Sequence, residues 1–121
     1  MNNFKPSKGI HLIGDFYNCK SNINSLKENE LREYISNLIS ENQLTELGHH
    51  YHTFFNNGIT CVVALSESHI SIHTWPEKNY VTIDIFVCNY SEDNTEKAKK
   101  LFSVLVNKFK PEEIKKKEIK R

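Results

Sequence analysis

Residues 80–88 read YVTIDIFVC, and this stretch decides the fold. Val81, Ile83, Ile85 and Val87 alternate with Thr82, Asp84, Phe86 and Cys88. Successive side chains of an extended chain point to opposite faces, so this is a strand with one apolar and one mixed face. A sheet built around it needs apolar cover on one side only.

The neighbouring segments extend that sheet. HISIHTW (69–75) alternates in the same way, and Pro76 ends it. ITCVVAL (59–65) is a β-branched run suited to a buried strand. Residues 47–55 read as a strand, and NNG at 56–58 as the turn of a hairpin. GIHLIGDFYN (9–18) gives a first strand. Between these, Leu31, Tyr34, Ile35, Leu38 and Ile39 recur at steps of three and four, which predicts an amphipathic helix from Glu28 to Asn42. A second helix is predicted over about 94–108, with Ala98, Leu101, Phe102 and Leu105 on one face. A short last strand is expected within 112–119. This order predicts an α+β fold, a two-layer sandwich of one antiparallel sheet with both helices packed on one face. At 121 residues the chain is expected to form a single domain.

Composition narrows the function classes. The 16 basic and 15 acidic residues nearly cancel, so no field favours a nucleic acid or a membrane surface as partner. The basic end, KPEEIKKKEIKR, is diluted by three glutamates and reads as a solvated face. No apolar run reaches membrane-spanning length, and MNNFKPSKG lacks the apolar core of a signal peptide, so the expected location is the cytoplasm. Three cysteines without a C-x-x-C pair argue against a disulfide framework and leave room for a working thiol.

The reactive residues concentrate in ALSESHISIHTWPE (64–77). Six histidines raise the question of a metal, but His69 and His73 on one strand stand about 13 Å apart. His49, His50 and His52 lack regular ligand spacing. No metal is expected from these patterns. A hydrolase could be assembled from Ser68, His73, Asp84 and Cys88, although no G-x-S-x-G elbow is present. A third chemistry uses more of the residues. A serine after a glutamate at a strained strand junction can attack the preceding carbonyl and turn the Glu67–Ser68 amide into an ester. Loss of the Ser68 α-proton then eliminates the ester, and the resulting dehydroalanine hydrolyses to an N-terminal pyruvoyl group. This needs a hydroxyl, a base and a donor for the oxyanion, which Ser68, His73 and Thr60 can supply. Residue chemistry alone leaves these readings side by side.

The string SESHISIHTWPE followed by YVTIDIFVC resembles the short prokaryotic S-adenosylmethionine decarboxylases, pyruvoyl enzymes of spermidine biosynthesis. The resemblance runs from GIHLIGDFYNC through YHTF to Cys88. It implies a proenzyme cut at Glu67–Ser68 into a β chain of residues 1–67 and an α chain of 68–121, with the pyruvoyl cofactor derived from Ser68. His73 then matches the base of processing, Thr60 an assisting hydroxyl, and Cys88 the proton donor for the decarboxylated carbon. Phe54 matches an aromatic that stacks on adenine, and Glu77 a carboxylate for the ribose hydroxyls. A pyruvoyl carbonyl forms a Schiff base with the substrate amine and draws in electrons as CO₂ leaves. An ordinary thiol, with a pKa of about 8.5, is mostly protonated at neutral pH and can donate.

Plainer readings stand beside these. His73 could be a hydrogen-bonded structural histidine, Cys88 a small buried filler, and Phe55 could take the place of Phe54 through a one-residue slip. Cys19 and Cys61 read as packing residues, Trp75 as core, interface or ligand contact, and His52 as a candidate pocket residue. FFNNGITC departs from the family pattern of proline, serine and glycine, so Thr60 stands for serine and Cys61 for glycine. Asp15 replaces a customary glutamate, and Lys8 an apolar residue. These departures touch substrate choice, and the runner-up is an arginine or ornithine decarboxylase of the same fold family. A catalytically idle regulatory homologue is argued against by Glu67, Ser68, His73 and Cys88 standing together. Longer relatives resemble two such units fused, which implies a homodimer with shared active sites. Ser68 and Cys88 would come from one protomer, and Phe54, Thr60, His73 and Glu77 from the other.

Overall fold

The computed structural model describes residues 8–89 and 92–121. Six strands form one antiparallel sheet in the order β2-β3-β4-β5-β1-β6. These are β1 (Gly9–Tyr17), β2 (Glu46–Thr53), β3 (Ile59–Leu65), β4 (Ser68–Trp75), β5 (Tyr80–Cys88) and β6 (Glu113–Lys120). The helices α1 (Glu28–Glu41) and α2 (Thr95–Phe109) cover one face. The α+β sandwich expected from the alternation is the fold observed.

Period-two patterning sets the layers. Val81, Ile83, Ile85 and Val87 of β5 are buried, as are Ile10, Leu12 and Phe16 of β1 and Ile70 and Ile72 of β4. From the other side come Leu31, Ile35, Leu38 and Ile39 of α1 and Ala98, Leu101, Phe102, Leu105 and Phe109 of α2. Each such large side chain contributes about 1.5–3 kcal/mol on burial, so packing rather than intrinsic propensity holds these helices. Gly14 lets α2 approach, since a Cβ there would meet the Phe102 ring at 2.8 Å.

Two boundaries differ from the sequence expectation. The strand predicted over 47–55 stops at Thr53, because the Phe54 N–H turns back to the Gly58 carbonyl at 2.8 Å and Asn57 takes a φ of 71°. The last strand is a full eight residues and pairs along β1 at the sheet edge. Its run of lysines guards that edge against further pairing. Among the described residues, no helix is long and apolar enough to cross a membrane.

The face away from the helices carries His11, Asp15, Tyr17, His69, Ser71, His73, Trp75, Thr82, Asp84 and Phe86, all half-buried. It is a polar and aromatic wall, and among the described residues no layer lies above it.

Candidate active site

The β3–β4 hairpin closes with Leu65 opposite Ser68, leaving Ser66 and Glu67 as its turn. Glu67 is exposed and has a φ of 60°. That left-handed conformation costs a residue with a Cβ about 1–2 kcal/mol, so strain sits next to the Glu67–Ser68 bond. Ser68 opens β4, and its Oγ accepts the backbone N–H of Cys88 at 3.0 Å. Cys88 is half-buried at the end of β5. Its carbonyl accepts Nδ2 of Asn94 at 3.0 Å, and the Asn94 N–H donates to Asn89 Oδ1 at 2.7 Å. A hollow of about 160 Å³ beside them is lined by Glu67, Cys88, Asn94 and Lys97 among others.

A second group lies farther along β4. Thr60, His73 and Thr82 face one another across β3, β4 and β5. The Thr60 Oγ1 and His73 Nδ1 share a hydrogen bond of 3.1 Å. Phe54, Phe55, Thr60, His73 and Trp75 line a hollow of about 300 Å³. Glu77 follows Pro76 in a short 3₁₀ turn, and its Oε2 accepts Nδ2 of Asn56 at 2.8 Å. Asn56 Oδ1 in turn accepts the Gly58 N–H at 3.1 Å. A side chain at Gly58 would put its Cβ 2.9 Å from the Thr74 carbonyl, so glycine lets this turn lie against β4. The rings of His73, Trp75, Tyr80 and Tyr17 continue as a stack, with centroid steps of 5.9, 5.2 and 5.1 Å. Burial, helped by the neighbouring Asp15 and Tyr17, pushes the Tyr80 hydroxyl up to about 12.

The two groups do not meet within one chain. Ser68 and His73 are five residues apart on an extended strand, about 16 Å. Alternation sets Ser68 on the face of Ile70 and Ile72, and His73 on the face of His69 and Ser71. The Ser68–His73 pair of a single-chain hydrolase is therefore not formed.

The profile of the S-adenosylmethionine decarboxylase family matches residues 10–121. The chain belongs to that family. It is 38% identical over 104 residues to an S-adenosylmethionine decarboxylase proenzyme of Archaeoglobus fulgidus, covering 86% of this chain and 88% of the relative. A proenzyme of the same name from Thermoplasma acidophilum is 35% identical, with 93% and 82% covered. The crystal structure of the adenosylmethionine decarboxylase from Aquifex aeolicus superposes with a TM-score of 0.80 at 29% identity, covering 93% of this chain and 89% of that one. Membership brings the two-layer fold with it.

Other residues now have defined places. Cys19 and Cys61 are buried packing residues, and desolvation pushes both thiols up to about 11. Cys61 fills its slot against the Tyr51 hydroxyl, whose own pKa burial also raises. His52 is exposed with its ring 4.6 Å from that of Phe54. Sequence reasoning missed the Asn56–Glu77 and Asn94–Cys88 links, because Asn56 and Asn94 read as ordinary turn residues. It also compared His69 with His73 along one strand, whereas the register brings His69 toward His11 and Asp84 on neighbouring strands.

Proposed function

We propose that this chain is a self-processing, pyruvoyl-dependent S-adenosylmethionine decarboxylase, whose product serves as aminopropyl donor for spermidine synthesis. The observation that carries the reading is the junction itself. In a chain of this family, a left-handed Glu67 precedes a Ser68 whose Oγ is held by the Cys88 N–H. The relatives described above are all named adenosylmethionine or S-adenosylmethionine decarboxylases, and none carries the arginine or ornithine name.

In maturation the Ser68 Oγ attacks the Glu67 carbonyl carbon, the peptide C–N bond breaks, and an ester with a free amine remains. Removal of the Ser68 α-proton expels the Glu67 carboxylate as the new end of residues 1–67. Water then replaces the nitrogen, which leaves as ammonia, and a pyruvoyl group heads residues 68–121. The strain at Glu67 is relieved as that bond opens. In the tautomer in which the His73 Nδ1–H donates to Thr60 Oγ1, the Nε2 lone pair takes the proton.

When present, the pyruvoyl group supplies a carbonyl that accepts the electron pair left behind by CO₂. The chain's own residues bind, orient and move the proton. Phe54 and Trp75 give the adenine an aromatic wall, and Glu77 accepts the ribose hydroxyls. Cys88 returns a proton to the carbon that lost CO₂. Ser68 and His73 cannot meet within a chain, so each site takes Ser68 and Cys88 from one protomer of a homodimer. Phe54, Thr60, His73 and Glu77 come from the other.

Denaturing mass spectrometry tests maturation. Two chains, 1–67 and 68–121 with an N-terminal pyruvoyl group, are expected, and Ser68→Ala should stay intact. Cleavage persisting in Ser68→Ala would overturn the assignment. Release of CO₂ from carboxyl-labelled S-adenosylmethionine, arginine and ornithine, measured side by side, tests the substrate, with turnover expected of the first alone.

A further inference from the structure

Three side chains on the open face have no part in that chemistry. His11 of β1, His69 of β4 and Asp84 of β5 come from three adjacent strands. The register sets His11 and His69 on either side of Phe86, with Asp84 two residues back on the same face of β5. Nε2 of His11 contacts Oδ1 of Asp84 directly, and Nε2 of His69 lies 3.8 Å from the same oxygen. All three donor atoms fall within 4.8 Å of one another. Phe86 supports both imidazoles, with ring centroids at 5.9 and 5.7 Å. Among the described residues, the ion-pair partners of Asp84 are these two histidines, and no lysine or arginine neutralises it.

We propose that His11, His69 and Asp84 form a binding site for one divalent transition-metal ion, with zinc as the ion of choice. Two imidazoles and one carboxylate are a three-ligand set that leaves a coordination position open. Imidazole selects zinc over the hard ions magnesium and calcium. Donors in a tetrahedral zinc site stand about 3.4 Å apart, as bond lengths near 2.1 Å require. The His69–Asp84 separation of 3.8 Å needs only a small side-chain rotation to reach that value. Without metal, the His11–Asp84 hydrogen bond keeps two of the three ligands together. The site is also well placed to be felt. His69 directly follows Ser68, so a bound ion would tie β1, β5 and β4 together beside the processing junction.

The test is zinc titration of the full-length protein, freed of metal and followed by calorimetry and thermal melting. Expected are one zinc per chain with micromolar or tighter affinity, and a melting temperature that rises with zinc concentration. Substituted cobalt should give the visible bands of a four- or five-coordinate nitrogen and oxygen site. His11→Gln, His69→Gln and Asp84→Asn, checked for folding by circular dichroism, should each weaken zinc binding about tenfold or more. A His49→Gln/His50→Gln control should bind as the parent does. For variants that fail to fold, histidine NMR of the unaltered protein decides. Zinc should shift the ring signals of His11 and His69 and leave those of His49 and His50 in place. Absence of zinc binding, or binding that tracks His49 and His50 instead, would overturn the proposal.

Discussion

The backbone N–H of Cys88 donates to the hydroxyl oxygen of Ser68 at 3.0 Å. Twenty residues apart in sequence, the two are joined by the antiparallel pairing of β4 and β5. The contact uses the main chain of Cys88 and not its thiol. Truncating the side chain therefore removes the proposed proton donor without removing the hydrogen bond to Ser68. Cys88→Ala should keep appreciable self-cleavage on gels, while decarboxylation falls by about 10²–10⁴-fold. Turnover at the parental rate would mean that another group returns the proton.

Thr60 and His73 should show the opposite pattern. Their 3.1 Å hydrogen bond fixes the imidazole, and the proposed mechanism assigns both to the step that makes the pyruvoyl group. His73→Ala should slow processing by about 10²–10⁴-fold and accumulate the ester, which hydroxylamine traps as a hydroxamate at Glu67. Thr60→Ala should slow it less, and Thr60→Ser should restore it. Normal processing in His73→Ala, followed by mass spectrometry over time, would remove the base from this position.

Asn56 should act through Glu77. Its amide holds the Glu77 carboxylate at 2.8 Å while its own oxygen is anchored by the Gly58 N–H. If Glu77 binds the ribose hydroxyls, Asn56→Ala should raise KM for S-adenosylmethionine roughly tenfold and leave kcat nearly unchanged. Equal loss in kcat would assign Asn56 to the chemistry rather than to positioning.

The fold was legible because its signals are local. Val81, Ile83, Ile85 and Val87 announce one buried face, and the three- and four-residue spacing of Leu31, Ile35 and Leu38 announces a helix that covers it. The Glu-Ser-His string and the thiol twenty residues later were read through the family resemblance, because residue chemistry alone left several readings side by side. What could not be read was distance across the sheet. The separation of Ser68 from His73 follows from strand geometry once both are set on β4. The meeting of His11 with Asp84 depends on the β1–β5 register, between residues 73 apart in sequence. The hold of Asn56 on Glu77 depends on a turn lying against the end of β4. Each is set by tertiary pairing, which no spacing along the chain encodes.

Alkaline pH should weaken the fold through its buried thiols. Burial raises Cys19 and Cys61 from an ordinary value near 9 to about 11. The folded state thus holds each proton more tightly than the unfolded state does. Their contribution is fully present below about pH 9 and is lost as pH rises toward about 11. Melting temperatures should fall across that window. A Cys19→Ala/Cys61→Ala variant, though less stable at neutral pH, should lose less over it. An unchanged slope would assign the transition to other groups, among them the Tyr51 and Tyr80 hydroxyls, both raised by burial.

The proposed sharing of each site between two protomers makes the sharpest prediction. Cys88 belongs with Ser68 at one end of β4, and Glu77 lies with Thr60 and His73 toward the other. If two copies pair with C₂ symmetry, one lesion in each copy of a mixed dimer falls on the same site and leaves the second site whole. Cys88→Ala and Glu77→Ala, each inactive alone, should therefore complement when co-expressed. Random pairing makes half of the dimers mixed, and each mixed dimer has one good site of two. Activity should return to about a quarter of the parental level. Affinity tags of two kinds can isolate the mixed dimers, in which recovery should approach one half. No recovery in demonstrated mixed dimers would mean that each protomer builds its own site, and the roles given to Thr60 and His73 would have to be reassigned.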